Sequence, residues 1–87
     1  MNLNAMDREQ IIAGIRGTVA EVVGHDSFEM RDDITAADVK GWDSLTHMSI
    51  ITRIERHFGV KFKLMEVNKL KNMGSLIELV GQKLNAK

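Results

Sequence analysis

Gly41-Trp42-Asp43-Ser44-Leu45-Thr46-His47-Met48-Ser49-Ile50-Ile51-Thr52-Arg53-Ile54-Glu55-Arg56-His57-Phe58-Gly59 is the stretch from which the fold of this chain is read. It opens on turn-forming and polar residues and then becomes apolar at steps of three and four. Leu45, Met48, Ile51, Ile54 and Phe58 share one helical face. Gly59 follows as a residue that ends a helix without strain. The pattern predicts a helix from Ser44 to His57 with that stripe inward. Ile50 lies off the stripe, either partly exposed or packed on the third helix. Asp43 and Ser44 are residue types that start helices, and they stand where the pattern changes. A serine there is exposed beside free backbone N–H groups and the positive end of the helix dipole, which favours an attached phosphate.

Upstream, Asp7 and Gln10 have the spacing of a capping box. Ile11, Ile12, Ile15, Val19, Val22 and Val23 then recur at helical intervals, predicting a first helix over Asp7 to Val23, stopped by Gly24. Gly14 and Gly17 each weaken it by about 1 kcal/mol relative to alanine, unless they mark a close helix–helix approach. His25 to Trp42 has no sustained period and reads as a long connection. Phe28, Ile34, Val39 and Trp42 are its candidate anchors, and Thr35 can cap a short turn over the residues that follow. The spacing of Asp32, Asp33 and Asp38 lacks the alternate ligands, central glycine and terminal glutamate of a calcium loop, so no metal site is expected.

Downstream, Val60 and Phe62 alternate with Lys61 and Lys63. A lone strand would have no partner, so an extended connector is preferred. Leu64 to Leu70 suits a short third helix with Leu64, Val67 and Leu70 inward. Asn72 can cap a last helix whose apolar face is Leu76, Ile77, Leu79, Val80 and Leu84. Met48, Ile54, Met65 and Met73 are read as core.

The totals agree with a helical globule. The 87 residues suit one domain spanning 1–87, ordered over about 7–84, and the apolar share of 44% is too high for disorder. A chain of this size buries roughly 60–65% of its unfolded surface. Proline, tyrosine and cysteine are absent, so there is no disulfide frame, thiolate nucleophile or cysteine-based zinc site. A cytoplasmic setting is permitted. No apolar run is long enough for a signal peptide or membrane span. Twelve basic and twelve acidic side chains cancel, against the basic excess of nucleic-acid binders.

Three blocks resemble the acyl carrier protein family. They are Asp33-Ile34-Thr35 with Val39 and Gly41-Trp42-Asp43-Ser44-Leu45; Phe58-Gly59-Val60 with Phe62; and Leu70-Lys71-Asn72-Met73-Gly74-Ser75-Leu76-Ile77-Glu78-Leu79-Val80. Asn72 and Met73 replace the more usual Thr and Val of the last block. The resemblance covers about Ile11 to Leu84. It implies an all-α four-helix bundle with a long loop between helices 1 and 2 and a short helix 3.

The resemblance also implies a function. Ser44 would carry 4′-phosphopantetheine, moved from coenzyme A by a phosphopantetheinyl transferase with magnesium. The thiol of that arm would hold an acyl or aminoacyl group as a thioester for a partner ligase, synthase or acyltransferase. Asp43 would support the site, as a plain N-cap, a positioning group, or both. Leu45 is either a core residue or a contact beside the arm. Trp42 reads as a loop anchor before a binding aromatic.

His47, three residues after Ser44, would need an orienting acid, an oxyanion hole and a shielded pocket to form a hydrolase pair, so no catalytic residue is assigned. It reads instead as an exposed residue that biases partner choice or reads pH. Only Glu55 is acidic among the polar positions of the second helix, against Arg53 and Arg56. Fatty-acid carriers of the family this chain resembles often have several acidic residues there, so the departure implies a dedicated pathway rather than bulk fatty-acid synthesis, unless the acidic surface has moved to Asp32, Asp33, Asp38 and Asp43. Two rivals stay in view: a carrier-fold interaction module without the arm, and a small helical DNA-binding domain using Arg53, Arg56, Lys61 and Lys63. The expected assembly is a monomer.

Overall fold

The computed structural model describes residues 7–86. Helix α1 spans Arg8–Val23, a 3₁₀ turn spans Ala36–Asp38, and helices α2, α3 and α4 span His47–Phe58, Leu64–Asn68 and Met73–Asn85. No strand occurs among the described residues. Helix α1 packs against both α2 and α4.

Helices α1 and α4 start where a side chain satisfies one of the first N–H groups. At α1, the Asp7 carboxylate accepts from Gln10 N at 2.9 Å and Gln10 Oε1 accepts from Asp7 N at 3.1 Å. Gly24, at φ 84°, ends the helix in the left-handed region. At α4, Asn72 Oδ1 accepts from Ser75 N at 2.9 Å, and Ser75 Oγ accepts from Asn72 N at 3.1 Å. At α3, Lys63 N donates to Glu66 Oε1 at 2.7 Å, and Glu66 also pairs with Lys83 of α4 at 2.8 Å. These N–H bonds, with the Lys83 pair second, hold the Glu66 carboxyl below its usual range.

The core is where the inward faces meet. Ile15, Val19, Ile50, Ile54 and Val80 are fully buried, joined by Phe58, Leu76 and Ile77. Burying each such side chain contributes about 1.5–3 kcal/mol. Gly14 lets α2 approach. A Cβ there would stand 2.6 Å from the Phe58 ring and 2.9 Å from His57 Nε2. Gly17 meets nothing within 4 Å, so only the first of the two glycines marks a close approach.

The long connection is pinned as expected by Phe28, Ile34 and Val39, all buried, and by half-buried Trp42. Its backbone also docks on α4: Met73 N donates to Ile34 O at 2.7 Å and Gly74 N to Asp32 O at 2.9 Å. His25 ties the ends of the connection together, with Nε2 2.7 Å from Lys40 O and Nδ1 accepting from Ser27 N at 3.0 Å. Thr35 donates to Asp38 through N–H and hydroxyl, which lowers the Asp38 pKa. After α2, Val60 and Phe62 form the extended connector. Phe62 N donates to Glu55 Oε2 at 2.7 Å.

Several expectations about the helices need correction. Helix α2 begins at His47, because the residues before it form a separate capped turn. Its buried stripe is Ile50, Ile51, Ile54 and Phe58, whereas Leu45 is 86% exposed and Met48 53% exposed. Rotating the helix that way brings Ile50 into the common core rather than leaving it partly exposed. Leu64 and Met65 are each 70% exposed, since α3 is too short to bury more than Val67 and leaves Leu70 half-buried. Of the two other expected core side chains, Ile54 and Met73 are buried as read.

Candidate functional site

The turn before α2 is built on the Asp43 side chain. Asp43 Oδ1 accepts from Leu45 N at 2.9 Å and Thr46 N at 3.0 Å. Thr46 Oγ1 returns the bond by accepting from Asp43 N at 2.9 Å, and donates to Gly41 O at 2.6 Å. The result is a reciprocal box like those at α1 and α4, with threonine in place of glutamine or serine. Its first helical bond, His47 N to Asp43 O at 2.9 Å, leads directly into α2. Gly41 supplies the reversal ahead of it at φ 93°, close against Val23. The Thr46 and Leu45 N–H groups hold the Asp43 carboxyl below its ordinary pKa, so it stays ionised at neutral pH.

Ser44 sits at the crest of this turn. It is exposed, and no hydrogen bond among the described residues engages its hydroxyl. The local N–H groups, however, are not waiting for an anion. Those of Leu45, Thr46 and His47 already donate to Asp43. The expected phosphate cradle is therefore filled by the protein's own carboxylate. What remains is a rigidly presented hydroxyl with solvent around it, which fits a flexible group attached through oxygen and needing no pocket.

The sequence-derived residues fall together here. Asp43, Ser44 and Leu45 are adjacent and exposed, and Leu45 stands outward beside the serine. Trp42 anchors the turn from below. Its Nε1 donates to His47 Nδ1 at 3.0 Å. His47 is thus half-buried and turned to Trp42, not the exposed surface residue expected. A small apolar cleft of about 60 Å³ lies under the turn, lined by Trp42, His47, Leu70, Met73 and Leu76 among others. Thr46 is the positioning residue that sequence reading missed. Its distance of three residues from Asp43 is capping-box spacing and was the available signal. Among the described residues no group of three or more His, Cys, Asp or Glu is arranged to hold a metal ion.

Comparison with known proteins places the chain in a family. The family described as "Phosphopantetheine attachment site" matches residues 13–80. An acyl carrier protein of Myxococcus xanthus is 32% identical over 73 residues, covering 84% of this chain and 92% of the relative. The polyketide-8 synthase acyl carrier protein 2 of Streptomyces avermitilis is 31% identical over 80 residues, covering 92% and 87%. The solution structure of a holo acyl carrier protein from Geobacter metallireducens superposes with a TM-score of 0.80 at 37% identity, covering 87% of each chain.

Proposed function

This chain belongs to the acyl carrier protein family, and we propose that Ser44 is the residue that bears its 4′-phosphopantetheine. The protein is a carrier and not an enzyme, and its cofactor is that covalent arm. When attached, the arm supplies a thiol that holds an acyl group as a thioester, activated for transfer. The chain's own residues do the presenting. Asp43 and Thr46 fix the turn, so that Ser44 Oγ reaches a transferase in one orientation. Leu45 offers an apolar contact beside it, and Trp42 with His47 keeps the turn seated on the core.

The observation that carries the reading is the Ser44 hydroxyl itself. It is exposed, without a partner among the described residues, and held at the crest of a turn whose neighbouring N–H groups are already occupied. The family implies a phosphopantetheinyl transferase and partner synthases in general. More finely, we assign an acyl or aminoacyl ligase, synthase or acyltransferase of a dedicated pathway. The charge of α2 supports this, as does a relative named for polyketide synthesis. The reading takes residues 1–87 as one carrier domain, acting as a monomer in the cytoplasm. The apolar core closing within one chain supports the first two points, and the cysteine-free composition permits the third. Among the described residues no helix is long and apolar enough to cross a membrane.

Intact mass tests the site. After incubation with coenzyme A, magnesium and a broad-specificity transferase, the wild type gains one phosphopantetheine and Ser44→Ala gains none. A gain in Ser44→Ala as well would move the site to another residue.

A further inference from the structure

The outward side of α2 carries charge of one sign. Arg53 and Arg56 are exposed there, beside a shallow groove of about 360 Å³ lined also by Met48, Ser49 and Thr52. The same two arginines border a second groove, of about 300 Å³, with Gly14 and Gly17 of α1 among its lining. They therefore form a ridge between two depressions. Glu55, the carboxylate of α2, is withdrawn from this ridge. It is half-buried and accepts from Phe62 N. Glu21 of α1 reaches Arg53 at 3.1 Å, but the two side chains are 70% and 53% exposed. So open a pair contributes little and yields readily to an incoming carboxylate. Arg56 has no hydrogen bond or ion pair among the described residues.

We infer that this ridge docks an acidic partner protein, whose carboxylates meet Arg53 and Arg56 while an apolar side chain enters beside Met48. The inference rests on the carrier reading, because it aligns the partner along the helix that Ser44 precedes. Leu45, Ser49, Thr52 and Arg56 recur at steps of three and four, so one outward stripe runs from the serine to the arginines. At 1.5 Å per residue that stripe is roughly 15–18 Å long, the span of a small docking patch. Guanidinium groups suit such a contact because their planar donors grip carboxylates bidentately. Two observations favour protein over nucleic acid. Exposed Leu45 lies on this stripe and exposed Met48 in the groove beside it, and neither has a use on a phosphate backbone. The chain's net charge is zero, so no long-range basic field surrounds the ridge.

The test is a titration of ¹⁵N-labelled protein with three probes. One is a synthetic amphipathic helical peptide with Leu on one face and Glu elsewhere; the second has Lys in place of Glu; the third is a DNA duplex. The Glu peptide is expected to move amide resonances over 45–57, with binding that weakens as salt shortens the reach of charge. Arg53→Glu with Arg56→Glu should weaken it at least tenfold and make the Lys peptide the better ligand. Gly17→Gln puts a side chain into the α1 groove, where a Cβ meets nothing within 4 Å. It should weaken the Glu peptide severalfold while the circular dichroism stays helical. Equal response to Glu and Lys peptides, or unchanged affinity in the double variant, overturns the inference. Preferential duplex binding overturns it in favour of a nucleic-acid surface. Phosphopantetheine loading of both proteins is read in parallel by intact mass. Failure to load either protein retires the Ser44 reading, and the titration still decides the ridge.

Discussion

The starts of α2 and α4 use the same hydrogen-bond scheme and reach opposite ends. In each, a short polar side chain accepts from N–H groups two or three residues on, and a hydroxyl returns the bond: Asp43 with Thr46, Asn72 with Ser75. At α4 the next N–H groups, those of Met73 and Gly74, are spent on the carbonyls of Ile34 and Asp32. That start is buried and clamps the long connection. At α2 nothing among the described residues docks on the crest, and Ser44 and Leu45 are left outside. A helix start becomes structural or presentational according to what lies over it, not according to its cap.

Substitutions at the two starts should separate these roles. The largest effect is expected at Met73→Ala, which empties a buried site (2% exposed). It should cost about 2–5 kcal/mol in denaturant unfolding. Gly74→Ala follows. Its Cβ would lie 2.9 Å from Asp32 Cβ and 3.1 Å from Asp32 O, and that crowding should cost about 1–3 kcal/mol. If Gly74→Ala were neutral, the clamp between connection and α4 would be looser than described. Asn72→Ala removes a cap alone and should cost about 1 kcal/mol, read as a Tm lower by roughly 4–8 °C. Leu45→Ala at the other start should stay within about 0.5 kcal/mol of wild type, yet slow turnover by a partner enzyme. A large loss of stability there would mean that Leu45 belongs to the core after all.

The subtlest contrast is in pH. Asp43 can titrate and Asn72 cannot. Asp43 has a folded pKa below its ordinary value of 3.8. Its stabilisation of the turn is therefore complete above that value and is lost as pH falls through the lower folded one. Amide resonances of Leu45 and Thr46 should shift in that acid range while that of Ser75 holds still. Simultaneous movement of all three would indicate global unfolding and erase the distinction.

The caps were legible because each is a local rule. Asp7 with Gln10, Thr35 before its turn, Asn72 before α4 and the glycines at 24 and 59 need only their near neighbours. The face of α2 was not. Leu45 and Met48 fit the same period as Ile51, Ile54 and Phe58, while Ile50 fits a stripe turned the other way. Periodicity identifies the helix but leaves its rotation open when apolar residues cover more than one face. The close approach of α1 at Gly14 settles it, bringing Phe58 and Ile50 inward and turning Leu45 and Met48 out. The phosphate cradle was misread for a related reason. That Asp43 would consume the N–H groups beside Ser44 depends on where one carboxylate points.

By itself, then, the sequence determined the all-α order of elements, the caps of α1 and α4, the glycine stops, and an exposed Ser44 between a pinned connection and a helix. These follow from backbone hydrogen-bonding needs within a few residues. Tertiary structure alone decided which apolar side chains of α2 and α3 stay in water, which way His47 turns, and that Glu55 is withdrawn while Arg53 and Arg56 stand out. Those outcomes depend on which surfaces meet, and hence on contacts between residues far apart in the chain.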